Sequence, residues 1–171
     1  MTTTAATDAD DFGAHPRFAE ALRALGLQDV LARARRFPEG TRTAAEAAAA
    51  IGCELSQICK SLVFAADGTP VLVLMDGASR VDTERVREEL GAGEVGRADA
   101  GVVRETTGYA IGGVPPFGHR TRTRVLADRA LLAHDVVWAA AGTPHTVFPI
   151  EPKALVAHAG ADLVDVREQT A

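Results

Sequence analysis

The stretch GYAIGGVPPFG, residues 108–118, holds the residue types best suited to chemistry in this sequence. Close-set glycines let main-chain N–H groups approach a ligand, and the prolines hold the connection in shape. Such a loop can aim backbone donors at a phosphate or at an oxyanion that develops during acyl transfer. It carries neither the spacing of a dinucleotide fingerprint nor a Walker-type phosphate loop, and an ordinary irregular connection can have the same composition. Lys60, in the otherwise apolar run ICKSLVFA, is the second candidate. A cation there is costly unless it reaches water or a partner. Alternation puts Lys60, Leu62 and Phe64 on one strand face and Cys59, Ser61 and Val63 on the other, so Cys59 reads as core packing rather than as a nucleophile. The third candidate is AAAGTPHTVF, residues 139–148, where Gly142, Thr143 and Pro144 make a turn and His145 follows. A histidine placed there can orient a water or act as a general base. Taken singly, a solvated strand-end lysine and a turn histidine are the commoner readings of Lys60 and His145. His15, His119, His134 and His158 show no metal-ligand spacing, and no Ser/His/Asp set can be drawn from sequence order.

The elements that must position these residues follow from pattern. Phe18, Leu22 and Leu25 stand at helical spacing in 15–26, and Gly26 stops that helix. Pro38 and Gly40 mark a turn, after which Thr43 and Glu46 form a capping box for an alanine-rich helix, 44–51, ended by Gly52. Two β-type runs, 59–66 and 70–75, surround the Asp67-Gly68 turn as a hairpin, and Asp76-Gly77 closes the second. Helices are expected over 81–90, with Val86 and Leu90 on one face, over 99–106, capped by Asp99, and over 151–158, with a proline early where its missing N–H costs little. Strands are expected at 125–126, 135–141, 146–150 and 163–166. Hairpins and irregular alternation predict an α+β domain built on a mixed sheet. Residues 1–13 read as a disordered tail and 14–171 as one domain, without repeat or linker.

Composition excludes several classes. The chain has 171 residues, enough for one core, with 47% hydrophobic and 24% charged residues, values ordinary for a globular protein. No apolar run reaches membrane-helix length and the polar, acidic N-terminus lacks signal-peptide character, so no membrane partner and a cytoplasmic location are expected. Cys53 and Cys59 make no disulfide framework. A net charge of −5 with one Trp and one Tyr argues against a protein that coats RNA. It does not argue against one that touches the end of an RNA through a local patch. Two arginine groups stand out: Arg33, Arg35, Arg36 and Arg42, and then Arg120, Arg122, Arg124 and Arg129 beside His119. Either reads equally as a solvated face.

In their order, TAAEAAAAIG (43–52), ICKSLVF (58–64), VDTERVREELG (81–91), TGYAIGGVPPFG (107–118), VLADRALL (125–132) and VVWAAAG (136–142) resemble the YbaK/EbsC family, whose domain also occurs as the editing insertion of bacterial prolyl-tRNA synthetases. The match covers most of 15–167, and a lysine strand followed by a TGY…GG..P.G loop is a specific combination. The resemblance implies a mixed β-sheet or open barrel flanked by helices, and deacylation of misacylated tRNA without a cofactor or metal. It implies a cleft between the lysine strand and the glycine-proline loop for the aminoacyl end of the tRNA. Lys60 would anchor the substrate, and Gly112 and Gly113 would donate N–H groups to the ester carbonyl. Ser61, Tyr109, Pro116, Gly118, Gly142 and His145 would surround the amino acid or shape its pocket. To put Ser61 beside Lys60, a kink at the strand end is required. Arg120, Arg122 and Arg124, directly after the loop, would meet the acceptor stem, and an aminoacyl-tRNA synthetase is a further expected partner. The region GTPHTVFPIEP and Pro115 depart from relatives that remove cysteine, which points to another small amino acid, such as alanine, serine or a non-protein analogue. Small-residue editing fits a sieve: a synthetase rejects a smaller or isosteric amino acid by only ~10–200-fold, so a second site clears the error. The other reading is a catalytically silent tRNA- or synthetase-binding module of the same fold.

Overall fold

The computed structural model describes residues 11–37 and 43–169. The expected turn at Pro38 and Gly40, and Arg42 of the first arginine group, lie outside the described residues. Helices α1 (Pro16–Ala24) and α2 (Gln28–Ala32) lead to a short strand β1 (Arg35–Arg36). Helix α3 (Ala44–Ile51) starts where the capping box puts it: the Thr43 hydroxyl accepts from the Glu46 N–H at 3.1 Å. Gly52, at φ +85°, then ends it in the left-handed conformation that glycine adopts without strain. A single 3₁₀ turn, Leu55–Gln57, precedes the hairpin of β2 (Ile58–Ala66) and β3 (Thr69–Asp76). Helix α4 (Thr83–Leu90), strand β4 (Val95–Arg97) and helix α5 (Ala100–Thr107) follow, then the glycine-proline loop. Strand β5 (Arg124–Asp128), a second 3₁₀ segment (Arg129–Ala133), β6 (Val137–Ala140), β7 (Thr146–Ile150), α6 (Pro152–Ala159) and β8 (Asp162–Val164) complete the described chain. Neither 3₁₀ segment, nor α2, nor β4 shows in the pattern, because each is too short for hydrophobic periodicity to declare itself.

The strands form one mixed eight-stranded sheet, ordered β1-β7-β6-β2-β3-β5-β8, with β4 on β2. The sheet does not close into a barrel. The β2–β3 register is unbroken, from Cys59 opposite Asp76 to Ala66 opposite Thr69. One face packs Cys59, Val63, Leu72 and Leu74 against α1, α2, α5, α6 and the glycine-proline loop. The other packs Phe64, Val71, Val73 and Met75 against Val86 of α4, Leu126 and Val166. Val86 is fully buried and its burial contributes ~1.5–3 kcal/mol. Of the expected tail, residues 1–10 lie outside the described residues, and residues 11–13 make contacts with the rest of the fold. The Asp11 carboxylate is buried and pairs with Arg23 at 2.6 Å, and the Thr146 hydroxyl donates to the Gly13 carbonyl at 2.8 Å.

Candidate active site

Strand β2 carries the geometry that matters most. On the edge away from β3, Ile58 and Cys59 pair with β6, while Phe64, Ala65 and Ala66 pair with β4. Between these two ladders the segment 60–63 has no strand beside it among the described residues, and there a cavity of about 280 Å³ opens. All six residues from Ile58 to Val63 line it. Main-chain groups alternate in direction along a strand. The Val63 carbonyl accepts from the Ala98 N–H at 3.2 Å on this edge, and the Ile58 carbonyl accepts from Gly77 N–H at 2.7 Å on the opposite edge. Ser61, in phase with Val63, therefore turns its N–H and C=O into the gap. A buried edge with free peptide groups wants hydrogen-bonding partners, and a ligand can supply them.

The same gap corrects the expected kink. Lys60 and Ser61 do point to opposite faces, but the cavity wraps the open edge and reaches both, so a regular strand suffices. Lys60 is the third residue of β2, half-buried, and its ammonium donates to the Ser79 carbonyl at 2.6 Å. Burial pulls its pKa below the usual lysine value, the negative charge of Asp76 opposes that shift, and Arg97 and Arg80 add to it. The Ser61 hydroxyl is buried with no hydrogen-bond partner among the described residues. Cys59 faces the core, and burial, followed by the charge of Asp76, pushes its thiol up to about 12. It carries negligible thiolate at neutral pH and is no nucleophile.

The glycine-proline loop closes the opposite wall with its first half. Gly112 lines the cavity at φ +92°, and its N–H has no partner among the described residues. Gly113 behaves differently from the expectation. Its N–H donates to Ala110 at 2.9 Å, so it is not a free donor. Its value is closeness: a Cβ there would stand 2.9 Å from Thr143 Cα, so only glycine lets the loop press against the 142–145 turn. Ile111, 59% exposed, stands at the cavity mouth.

Several expected pocket residues lie elsewhere. Tyr109 is buried off the cavity; its hydroxyl donates to the Gly118 carbonyl at 2.8 Å, and its ring packs edge-on against His15. Gly118 at φ +79° sits against Ala21 and Phe18 of α1. Pro116 and Gly118 line a separate depression behind the loop. Gly142 is sealed by His15 and Tyr109, with no room for a Cβ. His145 is exposed on the turn and does not line the cavity; its neighbours Thr143 and Pro144 do. Arg120, Arg122 and Arg124 are exposed and absent from the cavity wall, and Arg124 pairs with Asp162 at 3.5 Å. The arginine that does line the cavity, beside Lys60, is Arg97 of β4, stacked over Phe64. Its strand is three residues long, too short to be recognised in sequence. Trp138, Val103, Val114, Ala140 and Val147 give the cavity an apolar lining. Among the described residues no carboxylate or histidine lines it.

Residues 38–157 match the family model of the aminoacyl-tRNA editing domain. The chain belongs to that family. An uncharacterized protein of Bacillus subtilis, YwhH, is 33% identical over 120 residues, which are 70% of this chain and 76% of the relative. A proline–tRNA ligase of Geobacter is 33% identical over 92 residues, 54% of this chain, yet the match spans only 16% of that much longer enzyme. A solved structure described as a candidate trans-editing enzyme for prolyl-tRNA synthetase superposes with a TM-score of 0.84 at 41% identity, covering 90% of this chain and 96% of the other. Among the described residues no helix is long and apolar enough to cross a membrane.

Proposed function

We propose that this chain is a free-standing trans-editing deacylase that hydrolyses the ester of a small mischarged amino acid on tRNA, with tRNA-Pro as the carrier. The observation that carries the reading is the unpaired edge of β2. There a lysine, a strand peptide and the free Gly112 N–H converge on one small apolar cavity. In this reading the aminoacyl group enters the gap, its polar atoms meet the Ser61 peptide, and its side chain rests on the apolar wall. The Lys60 ammonium leaves Ser79 for the phosphate or carbonyl of the terminal nucleotide, with Arg97 beside it. Water attacks the ester carbonyl carbon, and the Gly112 N–H meets the oxygen that becomes negative. One such donor is worth ~3 kcal/mol in related acyl transfer. The ester C–O bond then breaks, the ribose oxygen takes the proton that the water gave up, and the free amino acid leaves. Cys59 has no part in this, since its thiol stays protonated.

A cavity of about 280 Å³ is at the lower end of ligand-site sizes, which favours a small amino acid such as alanine or serine. The similarity to a trans-editing candidate over nearly its whole length supports the tRNA-Pro assignment and action apart from a synthetase polypeptide. Cytoplasmic location follows from the substrate. The test is deacylation of tRNA-Pro and cognate tRNAs charged with Ala, Ser, Cys, Thr or Pro, with Lys60→Ala beside the wild type. Release of one or two small residues, lost in the variant, is the expected result. Intact tRNA binding with no release from any substrate would replace the enzyme by the silent binding module.

A further inference from the structure

Asp76 ends β3 and is 3% exposed, yet among the described residues it forms no ion pair. A buried carboxylate in that position is costly unless its charge is used. Its side chain accepts from the Ala78 N–H at 2.9 Å, and its main-chain carbonyl accepts from the Ser79 N–H at 3.2 Å. These two bonds close the turn 76–79. Gly77 docks that turn on the start of β2, its N–H donating to Ile58 at 2.7 Å; a Cβ there would stand 2.5 Å from the Leu55 carbonyl oxygen. The far side of the turn presents the Ser79 carbonyl, on which the Lys60 ammonium rests at 2.6 Å. A continuous set of bonds thus runs from the Asp76 carboxylate to the lysine.

Asp128 provides a contrast. It ends β5, the parallel neighbour of β3, and is equally buried. Its two oxygens are taken by the N–H groups of Ala130 at 3.0 Å and Val166 at 2.9 Å. That carboxylate is spent on holding the chain together. Among the described residues the Asp76 side chain accepts one hydrogen bond, and its charge acts on Lys60.

We infer that Asp76 is the positioning residue of the cavity: it fixes the carbonyl that holds Lys60 and supplies the counter-charge to its ammonium. This rests on the reading in which Lys60 meets the substrate. The charges acting on Lys60 are Asp76 from β3, Arg80 from the loop after it and Arg97 from β4. Burial and both arginines favour the neutral amine, and Asp76 opposes them. When the Asp76 charge is removed, the opposing charge is lost, so Lys60 gives up its proton at a lower pH.

The experiment follows the reactivity of Lys60 toward an amine-selective acylating reagent as pH rises, read by peptide mass mapping in the full chain. Asp76→Asn keeps an oxygen for the Ala78 N–H and removes the charge. Asp76→Ser does the same with a smaller group, should the amide fold poorly. In both, Lys60 is expected to label at lower pH than in the wild type, and the alkaline limb of deacylation moves the same way. Asp128→Asn is expected to lower the melting temperature and leave Lys60 labelling where it was. Unchanged Lys60 labelling in folded Asp76 variants overturns the assignment. A shifted labelling curve in a protein that deacylates nothing leaves Asp76 in its role and overturns the functional reading instead.

Discussion

The two halves of the glycine-proline loop belong to one motif and divide the labour. Ile111, Gly112 and Val114 line the cavity: the Gly112 N–H has no partner among the described residues, Ile111 stands in the open at the mouth, and the neighbouring Gly113 lets the loop touch the 142–145 turn. Residues 115–119 face the core. Phe117 packs on Phe18 and Phe148, the Tyr109 hydroxyl holds the Gly118 carbonyl, and His119 Nε2–H donates to the Pro115 carbonyl at 2.6 Å. A motif that looks uniform in sequence is half contact surface and half anchor. The lesson is that residues of one motif can serve one site while only some of them touch its ligand.

Substitutions in the two halves separate these roles. Gly113→Val brings side-chain atoms into the Thr143 backbone and pushes the front half off the turn. It is expected to cut deacylation by ~10²-fold, the scale of losing a main-chain donor, with a far smaller change in the melting temperature. A loss of rate fully accounted for by unfolding would break the division. Next in size is charge reversal of Arg120 and Arg122, which flank the anchor half and lie off the cavity wall. We expect tRNA binding to weaken several-fold, with a steeper loss at higher salt in the wild type than in the variant. Hydrolysis of a minimal aminoacyl-adenosine is expected to hold. Equal losses on both substrates would place these arginines at the chemistry after all.

Tyr109→Phe removes one buried hydrogen bond from the anchor half, an expected ~1 kcal/mol of stability by denaturant unfolding, with the rate constant for bound substrate nearly unchanged. The same half carries a pH signature. Burial lowers the pKa of His119, partly offset by the Pro115 carbonyl, and burial followed by Arg17 lowers that of His15. In the unfolded chain both titrate near 6.5. Because the folded values are depressed, their contribution is complete above that pH and is lost as pH falls toward the folded values. Unfolding free energy measured from neutral pH downward is expected to decline, and to decline less in His119→Gln. The smallest effect is assigned to His145→Ala: an exposed turn histidine off the cavity is expected to leave deacylation within twofold. A large loss there would move the histidine back into the site.

Much of the frame was legible in the residues. Thr43 with Glu46, the Asp67-Gly68 hairpin turn, Asp99 as a cap and Gly52 as a stop are local signals, because capping and left-handed turns are decided within four or five residues. The lysine strand and the glycine-proline loop were legible as separate candidates, while a cleft between them came only from the family resemblance. Arg97 was not, since nothing in three residues of β4 announces a strand. Nor was the use of Gly113 or the burial of Tyr109, which depend on what stands opposite: Thr143 in one case, His15 and Gly118 in the other.

The sequence by itself determined the longer helices, strands and turns, and which residue types were on hand for acyl chemistry. Only the tertiary structure decided that β2 is paired at both ends and bare in the middle. That gap arises because β6 and β4, 40 residues apart, each cover part of the same edge and leave 60–63 between them. Strand pairing at such separation is set by the whole sheet and its packing rather than by any local preference of the chain. The open edge therefore could not be read from ICKSLVFA alone.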